Sequence, residues 1–348
     1  MKKASIVIIN HNYEVYVRDA INSALAQTWP NVEVVVVDDG SIDNSRSVIT
    51  KFESRIITIF QQRAGHTCAV NAGLAASSGE FVLFLDADDF LYPKAIATAF
   101  ALLQPGDAKI QFQLDTIDRD GANLNLTFPF FVKGFSAEQV MEQSLATSWY
   151  PWTTSTGNLY CRMYLEQIFP LDPIRIFRSP DSIMNKLAPL YGSVRTLRQV
   201  LGAYRVHGKN RWASTASDWN PQTAVNWLKL NNEMEALFLE LAHQRNIPVR
   251  RPLVHPFQKL EYEIQVLRFV PHEPVGSQSL LATLVECFRW FCKARWETCS
   301  GRLTRLFFLV FLAFAPIKLL KRVLPKARSQ KDRSRFWKLT LGLTRRTV

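Results

Sequence analysis

Phe81-Val82-Leu83-Phe84-Leu85-Asp86-Ala87-Asp88-Asp89-Phe90 is the stretch that decides how this chain is read. Five consecutive apolar residues, two of them Phe, predict a strand buried on both faces. That strand then stops in three carboxylates within four positions. In an open α/β sheet, ligands bind in the crevice beyond the carboxyl ends of the strands, so Asp86 and Asp88 are expected to face a site. Their alternate spacing leaves two oxygen ligands able to share one hard divalent cation, which usually brings a phosphate with it. A solvated Asp turn closing a strand is the competing reading, and the flanking sequence has to separate the two.

Upstream, the pattern repeats. Ala4-Ser5-Ile6-Val7-Ile8-Ile9 reads as a β-branched central strand that gives way to Asn10-His11-Asn12-Tyr13. Glu14 to Gln27 carries Val17, Ala20, Ile21, Ala24 and Leu25 at helical spacing, and Trp29-Pro30-Asn31 ends that helix. Val32 to Val37 is a second buried strand, stopping in Asp38-Asp39-Gly40-Ser41. A helix over Asp43–Phe52, a strand over Ile56–Phe60 and a helix over Gly65–Ser77 follow, the last rich in small residues that allow close packing on a sheet. Gly79 returns the chain to the opening strand. Such alternation predicts a parallel sheet whose right-handed crossovers put every strand C-terminus on one edge. Asn10, Asp38, Asp39, Asp86 and Asp88 then share a single rim. Asp-Gly-Ser is also an ordinary turn signal, but acidic ends at equivalent positions of several strands are harder to read as turns.

The same four segments resemble the successive motifs of family 2 glycosyltransferases with a GT-A fold. They are Ser5–Asn12, Val37–Asp43, Gly65-x-x-x-Ala69-x-Asn71-x-Gly73 and Gly79–Asp89, in the family's order and approximate spacing. The resemblance covers residues 1–215. It implies an α/β GT-A fold, with a mainly parallel central sheet flanked by helices, and a hexosyltransferase using a nucleotide-diphosphate sugar, read here as a UDP-sugar, by an inverting route with Mg²⁺ or Mn²⁺. It assigns Asn10, Asn12, Asp38, Asp39, Asn71 and Asp86 to the donor and Asp88 to the metal. One departure is Val70, where relatives often carry Arg; that donor contact is missing here or falls to another residue such as Arg63.

Further along, Tyr92–Leu103 predicts a helix, Lys109–Asp115 a strand, Asp118-Arg119-Asp120-Gly121 a turn, and residues 122–157 an irregular aromatic-rich segment. Core packing is the commoner use of such aromatics, so none is assigned to sugar stacking. The family supplies a catalytic acid near the start of a later helix, usually in a Glu-Asp pair. Ser179-Pro180-Asp181 stands at that place, which makes Asp181 the candidate general base and puts Pro where Glu is usual. Pro suits a first helical position, where its missing N–H has no partner anyway, and Asp181 as a simple helix cap is the alternative. Tyr204-Arg205-Val206-His207 resembles the segment closing many catalytic domains of the family, which implies His207 near the metal, with Lys209 and Arg211 beside it for phosphate charge.

Charge separates the rest of the chain from this body. Of 42 basic and 30 acidic residues, 16 and 2 lie from Arg289 onward, leaving 26 basic and 28 acidic before it. The basicity is therefore a tail property, whereas a nucleic-acid enzyme more often spreads it around its cleft; no nucleic-acid partner is expected. Five cysteines without CxxC spacing speak against a disulfide framework and a structural zinc site, and fit a reducing cytoplasm. Helical patterns run over Asp218–Ala242, Leu260–Phe269 and from Leu280, the last with Leu280, Leu284, Phe288 and Phe291 as its apolar face and Trp290 at the margin. Leu306–Ala315 is apolar all round but shorter than the ~20 residues a membrane span needs. Nine Lys and Arg between Lys318 and Lys338 follow it. At about 1 kcal/mol each near an anionic leaflet, they suit a peripheral or monotopic anchor on the cytoplasmic membrane surface, and a buried helix with a disordered basic tail, or a partner-binding helix, is the alternative. The expected organisation is a catalytic domain over 1–215, a helical extension over 216–300 and a membrane-associating tail over 301–348. A glycan or lipid-linked acceptor follows from that location. Two other readings stay open at this level: an inactive nucleotide-sugar-binding scaffold on the same fold, and a nucleotidyltransferase, although the latter generally needs a Gly-rich basic loop that is absent after Ile9.

Overall fold

The computed structural model describes residues 1–129, 131, 136–174, 179–207, 220–249, 253, 256–275, 279–293 and 299–328. The chain divides into two compact units: Met1–Ser144 with Tyr150–Val206, and Leu145–Trp149 with His207–Val348.

The first unit opens with β1 (Ala4–Asn10), α1 (Val17–Leu25), β2 (Val32–Asp39), α2 (Ser45–Thr50), β3 (Ile57–Gln61), α3 (His66–Ala76) and β4 (Phe81–Asp86), the predicted alternation. It continues through β5 (Phe90–Leu91), α4 (Ala95–Leu102), β6 (Asp107–Asp118), β7 (Asn123–Phe128), α5 (Ala137–Thr147), β8 (Asn158–Cys161), α6 (Arg162–Leu165), α7 (Pro180–Leu187) and β9 (Ser193–Val206). One nine-stranded sheet results, in the order β3-β2-β1-β4-β8-β6-β9-β5, with β7 paired to β6. β1 to β4 are mutually parallel, while β8 runs antiparallel to both β4 and β6, and β6 is parallel to β9. The β-branched runs of β1 and β2 and the Phe-Leu run of β4 fill the centre because both faces there are covered. Gly73 makes one cover possible: a Cβ at that position of α3 would collide with Val7 of β1 and crowd Val37 of β2.

Three stretches differ from the sequence reading. The segment expected to be irregular contains β7 and α5. Leu124, Leu126 and Phe128 alternate as a strand should, but all three stay exposed on the edge hairpin, so no buried run advertised it. β9 is a 14-residue strand whose Arg195, Arg198 and Arg205 interrupt any apolar run, and its pairing with β6 forms it. The helix expected from Tyr92 starts only at Ala95, after β5.

The second unit contains α8 (Pro221–Gln244), α9 (Phe257–Phe269), α10 (Leu280–Lys293), α11 (Cys299–Phe314) and α12 (Ile317–Arg328). α8 packs on α9 through Ala224, Val225 and Leu228 against Tyr262 and Val266. Leu260 and Ile264 of α9, Cys287 and Trp290 of α10, Leu309 and Leu312 of α11 and Leu320 of α12 form a second cluster. Trp290 is thus buried rather than marginal, while Phe288, expected on the packed face of α10, is 62% exposed. Lys209, Arg211 and the basic residues from Lys331 on lie outside the described residues.

Candidate active site

Strand register builds the site. Asn10 pairs with Asp38, and Ile9 pairs with Asp86, so β1, β2 and β4 end level on one edge of the sheet. Asn10 Nδ2 donates to Asp38 Oδ2 at 2.8 Å and to Ser41 Oγ at 3.1 Å, and Ser41 N donates to Asp38 Oδ1 at 3.0 Å. Asn12 N in turn donates to Ser41 Oγ at 2.9 Å, and Asn12 Oδ1 accepts from Ile42 N at 2.8 Å. The β1 and β2 exits are therefore laced into one polar floor. Asn10 Oδ1 is a buried acceptor with no hydrogen bond among the described residues.

Asp39 serves the next loop. Its Oδ1 accepts from Gln61 Nε2 at 2.7 Å and Ala64 N at 2.8 Å, and its Oδ2 accepts from Gly65 N at 2.9 Å. This fixes the turn into α3, and Gly40, at φ +68°, lets Arg63 backbone lie against it. Asn71 spends its amide on the chain too: Nδ2 donates to Leu171 O at 2.8 Å and Oδ1 accepts from Leu171 N at 2.9 Å.

At the end of β4 the three carboxylates divide. Asp86 is partly exposed and lies 4.0 Å from His66 Nε2; Asp88 is mostly buried and hydrogen-bonded by the Tyr13 hydroxyl. Asp89, expected only to cap the following helix, is instead fully buried. Its Oδ2 accepts from Thr156 Oγ1 at 2.6 Å and its Oδ1 from Arg205 N at 2.9 Å. Arg205 completes the brace, with Nε donating to Asp88 O at 2.9 Å, Nη2 to Asp19 Oδ2 at 3.2 Å, and its guanidinium 4.7 Å from the Tyr16 ring. Sequence reasoning missed both roles, since a third Asp and an Arg in an unrecognised strand carry no local signal.

The electrostatics follow from this crowding. Burial, then Asp88 and Asp86, push the Asp89 carboxyl well above its ordinary range. Burial and the three carboxylates likewise keep the Tyr13 and Tyr204 hydroxyls protonated. Such a concentration of negative charge, with hard oxygen donors on Asp86 and Asp88, fits Mg²⁺ or Mn²⁺. Among the described residues, no group of three or more His, Cys, Asp and Glu side chains is arranged to hold an ion.

Asp181 sits in the first turn of α7, after Pro180 at the helix start. His207 follows the last residue of β9 and is the first residue of the second unit's long segment.

Residues 5–169 match the sequence profile of the family described as Glycosyl transferase family 2. An uncharacterized glycosyltransferase of Nostoc sp. is 36% identical over 229 residues, which span 64% of this chain and 70% of that protein. The chain belongs to glycosyltransferase family 2. The glycosyltransferase GlyA of Streptococcus pneumoniae is 37% identical over 101 residues, 28% of this chain and 14% of that protein. Among solved structures, residues 1–349 of S. aureus TarS in complex with UDP superpose with a TM-score of 0.52 at 17% identity, over 99% of this chain and 93% of that one. The fold of this glycosyltransferase is accordingly GT-A-like, with a helical C-terminal region. Every strand-end residue from Asn10 to Asp89 lies within the family match, whereas Asp181 and His207 lie beyond it.

Proposed function

We propose that this glycosyltransferase transfers a sugar from a UDP-sugar to a hydroxyl of a lipid-linked or cell-surface glycan, with inversion and with the help of Mg²⁺ or Mn²⁺. The observation that carries the reading is the level ending of β1, β2 and β4, which gathers Asn10, Asp38, Asp86 and Asp88 on one edge. The UDP complex of TarS supports the choice of nucleotide.

In this reading Asn10, Asn12, Asp38, Asp39 and Asp86 form the donor floor, and Asn71 contributes by holding the Leu171 segment. Asp88 and His207 would hold the cation, which when bound would stabilise the charge of the departing diphosphate. Asp181 accepts the proton of the acceptor hydroxyl as that oxygen attacks the anomeric carbon opposite the leaving group. The glycosyl–phosphate bond breaks in the same displacement and the configuration inverts. Catalysis belongs to residues 1–215, and 216–300 form a helical extension.

Residues 301–348 act as an interfacial anchor on the inner face of the cell membrane. On α11, Leu303, Phe307, Val310, Phe311 and Phe314 recur at helical spacing and are exposed, while Phe308, Leu309 and Leu312 face the helical core. Among the described residues no helix is long and apolar enough to cross a membrane. Exposed Lys318, Lys321 and Arg322 follow on α12. An outward apolar stripe beside cations is the pattern of a helix lying in the headgroup region.

The test is a screen of nucleotide sugars for release of nucleoside diphosphate, with Mn²⁺ or Mg²⁺ and with EDTA. UDP release that requires metal is expected; release unaffected by EDTA overturns the metal role. Asp181→Asn is expected to abolish transfer, and near-normal turnover would remove Asp181 from the base role.

A further inference from the structure

Thr156 Oγ1 meets both ends of the carboxylate turn. It donates to Asp89 Oδ2 at 2.6 Å, and it accepts from Asp86 N at 3.4 Å. Between those ends, Asp89 N closes the turn by donating to Asp86 O at 3.0 Å, and Ala87 N ties it to β1 by donating to Ile9 O at 3.2 Å. One fully buried hydroxyl therefore joins the two residues that bracket Asp88. Arg205 of β9 reaches the same turn from the other side, through its N to Asp89 Oδ1 and its Nε to Asp88 O.

The hydroxyl is itself held in place. Thr156 lies in a single 3₁₀ turn, Ser155–Gly157, directly ahead of β8. Asn158 Nδ2 donates to Thr154 O at 2.6 Å, and Asn185 Nδ2 of α7 donates to Thr153 O at 3.2 Å. Asn185 is anchored in turn by the Tyr160 hydroxyl, which donates to its Oδ1 at 3.1 Å, and by the Tyr150 hydroxyl, which donates to its O at 2.6 Å. Gly157 lets the segment close, since a Cβ there would collide with the Thr153 side chain. A side chain presented from a segment whose own carbonyls are fixed can hold what it touches. Without the hydroxyl, Asp89 Oδ2 loses that donor in a buried site beside Asp86 and Asp88, a cost that a shift of the turn would relieve.

We propose that Thr156 is a positioning residue for the Asp86–Asp89 turn, its hydroxyl setting the backbone that aims Asp86 and Asp88 from the sheet edge. Its catalytic consequence rests on the reading of Asp86 and Asp88 as donor and metal residues. Arg205 shares the task, but its ties to Asp19 and the Tyr16 ring make it a poor probe of the turn alone. Thr156 offers a single hydroxyl to remove.

Thr156→Val removes that hydroxyl at nearly constant volume, and Thr156→Ser keeps it. Two quantities are measured on the full-length protein: amide hydrogen exchange over residues 86–89, and Mn²⁺ affinity in the presence of UDP, followed by the electron paramagnetic resonance signal of free Mn²⁺. Thr156→Val is expected to speed exchange over 86–89 about tenfold, the size of one lost hydrogen bond, while β2 keeps its protection. Mn²⁺ affinity should fall about 10–100-fold, as when an outer-shell partner of a metal ligand is lost. Thr156→Ser should restore both. Thr156→Ala carries the same arm if Thr156→Val does not fold. Unchanged exchange over 86–89 overturns the proposal. Unchanged Mn²⁺ affinity in Thr156→Val, where Asp88→Ala loses it, also overturns the proposal and leaves the metal reading standing. Faster exchange over 86–89 with Mn²⁺ affinity unchanged in both variants keeps Thr156 as the residue that sets the turn and discards the metal reading instead.

Discussion

The two units use polar and apolar groups in opposite ways. In the sheet unit, carboxylates lie inside and their oxygens are spent on the chain: Asp38 on Asn10 and Ser41, Asp39 on the turn into α3, Asp89 on Thr156 and Arg205. In the helical unit, Phe307, Phe311 and Phe314 lie outside beside exposed cations. The first arrangement spends stability to hold charge in one geometry; the second leaves apolar surface that water does not favour. In the proposed function each suits a different task, preorganised charge for a phosphate-bearing donor and loose adhesion for a surface.

Asp88→Ala should break the first half of this contrast hardest, lowering metal-dependent UDP release on the order of 10³-fold while lowering the melting temperature less than Asp89→Ala does, since the buried Asp88 side chain takes no part in the Thr156–Arg205 brace. Donor turnover and thermal unfolding measured on one preparation check it. Asp89→Ala should do the opposite first. It orphans a buried Thr156 hydroxyl and the Arg205 amide, so a loss of about 2–4 kcal/mol in urea unfolding is expected. A neutral result would make the Asp89 brace irrelevant.

For the helical unit, Phe307→Glu with Phe311→Glu should abolish co-flotation with phosphatidylglycerol-containing vesicles while UDP release from free donor stays near wild type. Flotation that survives both changes moves the anchor elsewhere. The smallest effects are in pH dependence, and they run in opposite directions in the two units. Burial would raise Glu33, but Lys3, Ser5 and Ser78 outweigh it and hold its carboxyl at about 2. Its contribution is therefore present above its ordinary value and lost as pH falls from about 4.5 toward about 2. Burial lifts Glu263 to about 7 against the pull of Lys259. Its contribution is full below about 4.5 and lost as pH rises through about 7. Hydrogen exchange in β2 and in α9 should show slopes of opposite sign, each flattened by Glu33→Gln or Glu263→Gln.

The placement of the candidate residues was largely legible because parallel strands leave long apolar runs and their ends fall on one edge. The common edge of Asn10, Asp38 and Asp86 was anticipated in this way. The hairpin strand β7 was missed although its Leu-x-Leu-x-Phe alternation was visible, because none of those side chains is buried. The face of α10 was also misjudged: Leu280, Leu284 and Phe291 do pack, but the buried centre is Thr283, Cys287 and Trp290, which leaves Phe288 outside. Helical periodicity shows that a stripe exists on an amphipathic helix, and only the neighbours show which side they cover.

Sequence alone determined the strand and helix order of the first ninety residues, the acidic strand ends and the basic C-terminal segment, because each is written in contiguous residues or a fixed period. Tertiary structure alone decided what those acids do. Asp86 and Asp88 remain at the edge, whereas Asp89, their neighbour in Asp86-Ala87-Asp88-Asp89, turns inward to meet Thr156 and Arg205 from 67 and 116 residues away. No local pattern distinguishes the third carboxylate from the other two. Partners distant in the chain do, since a buried carboxylate survives only where donors are brought to it.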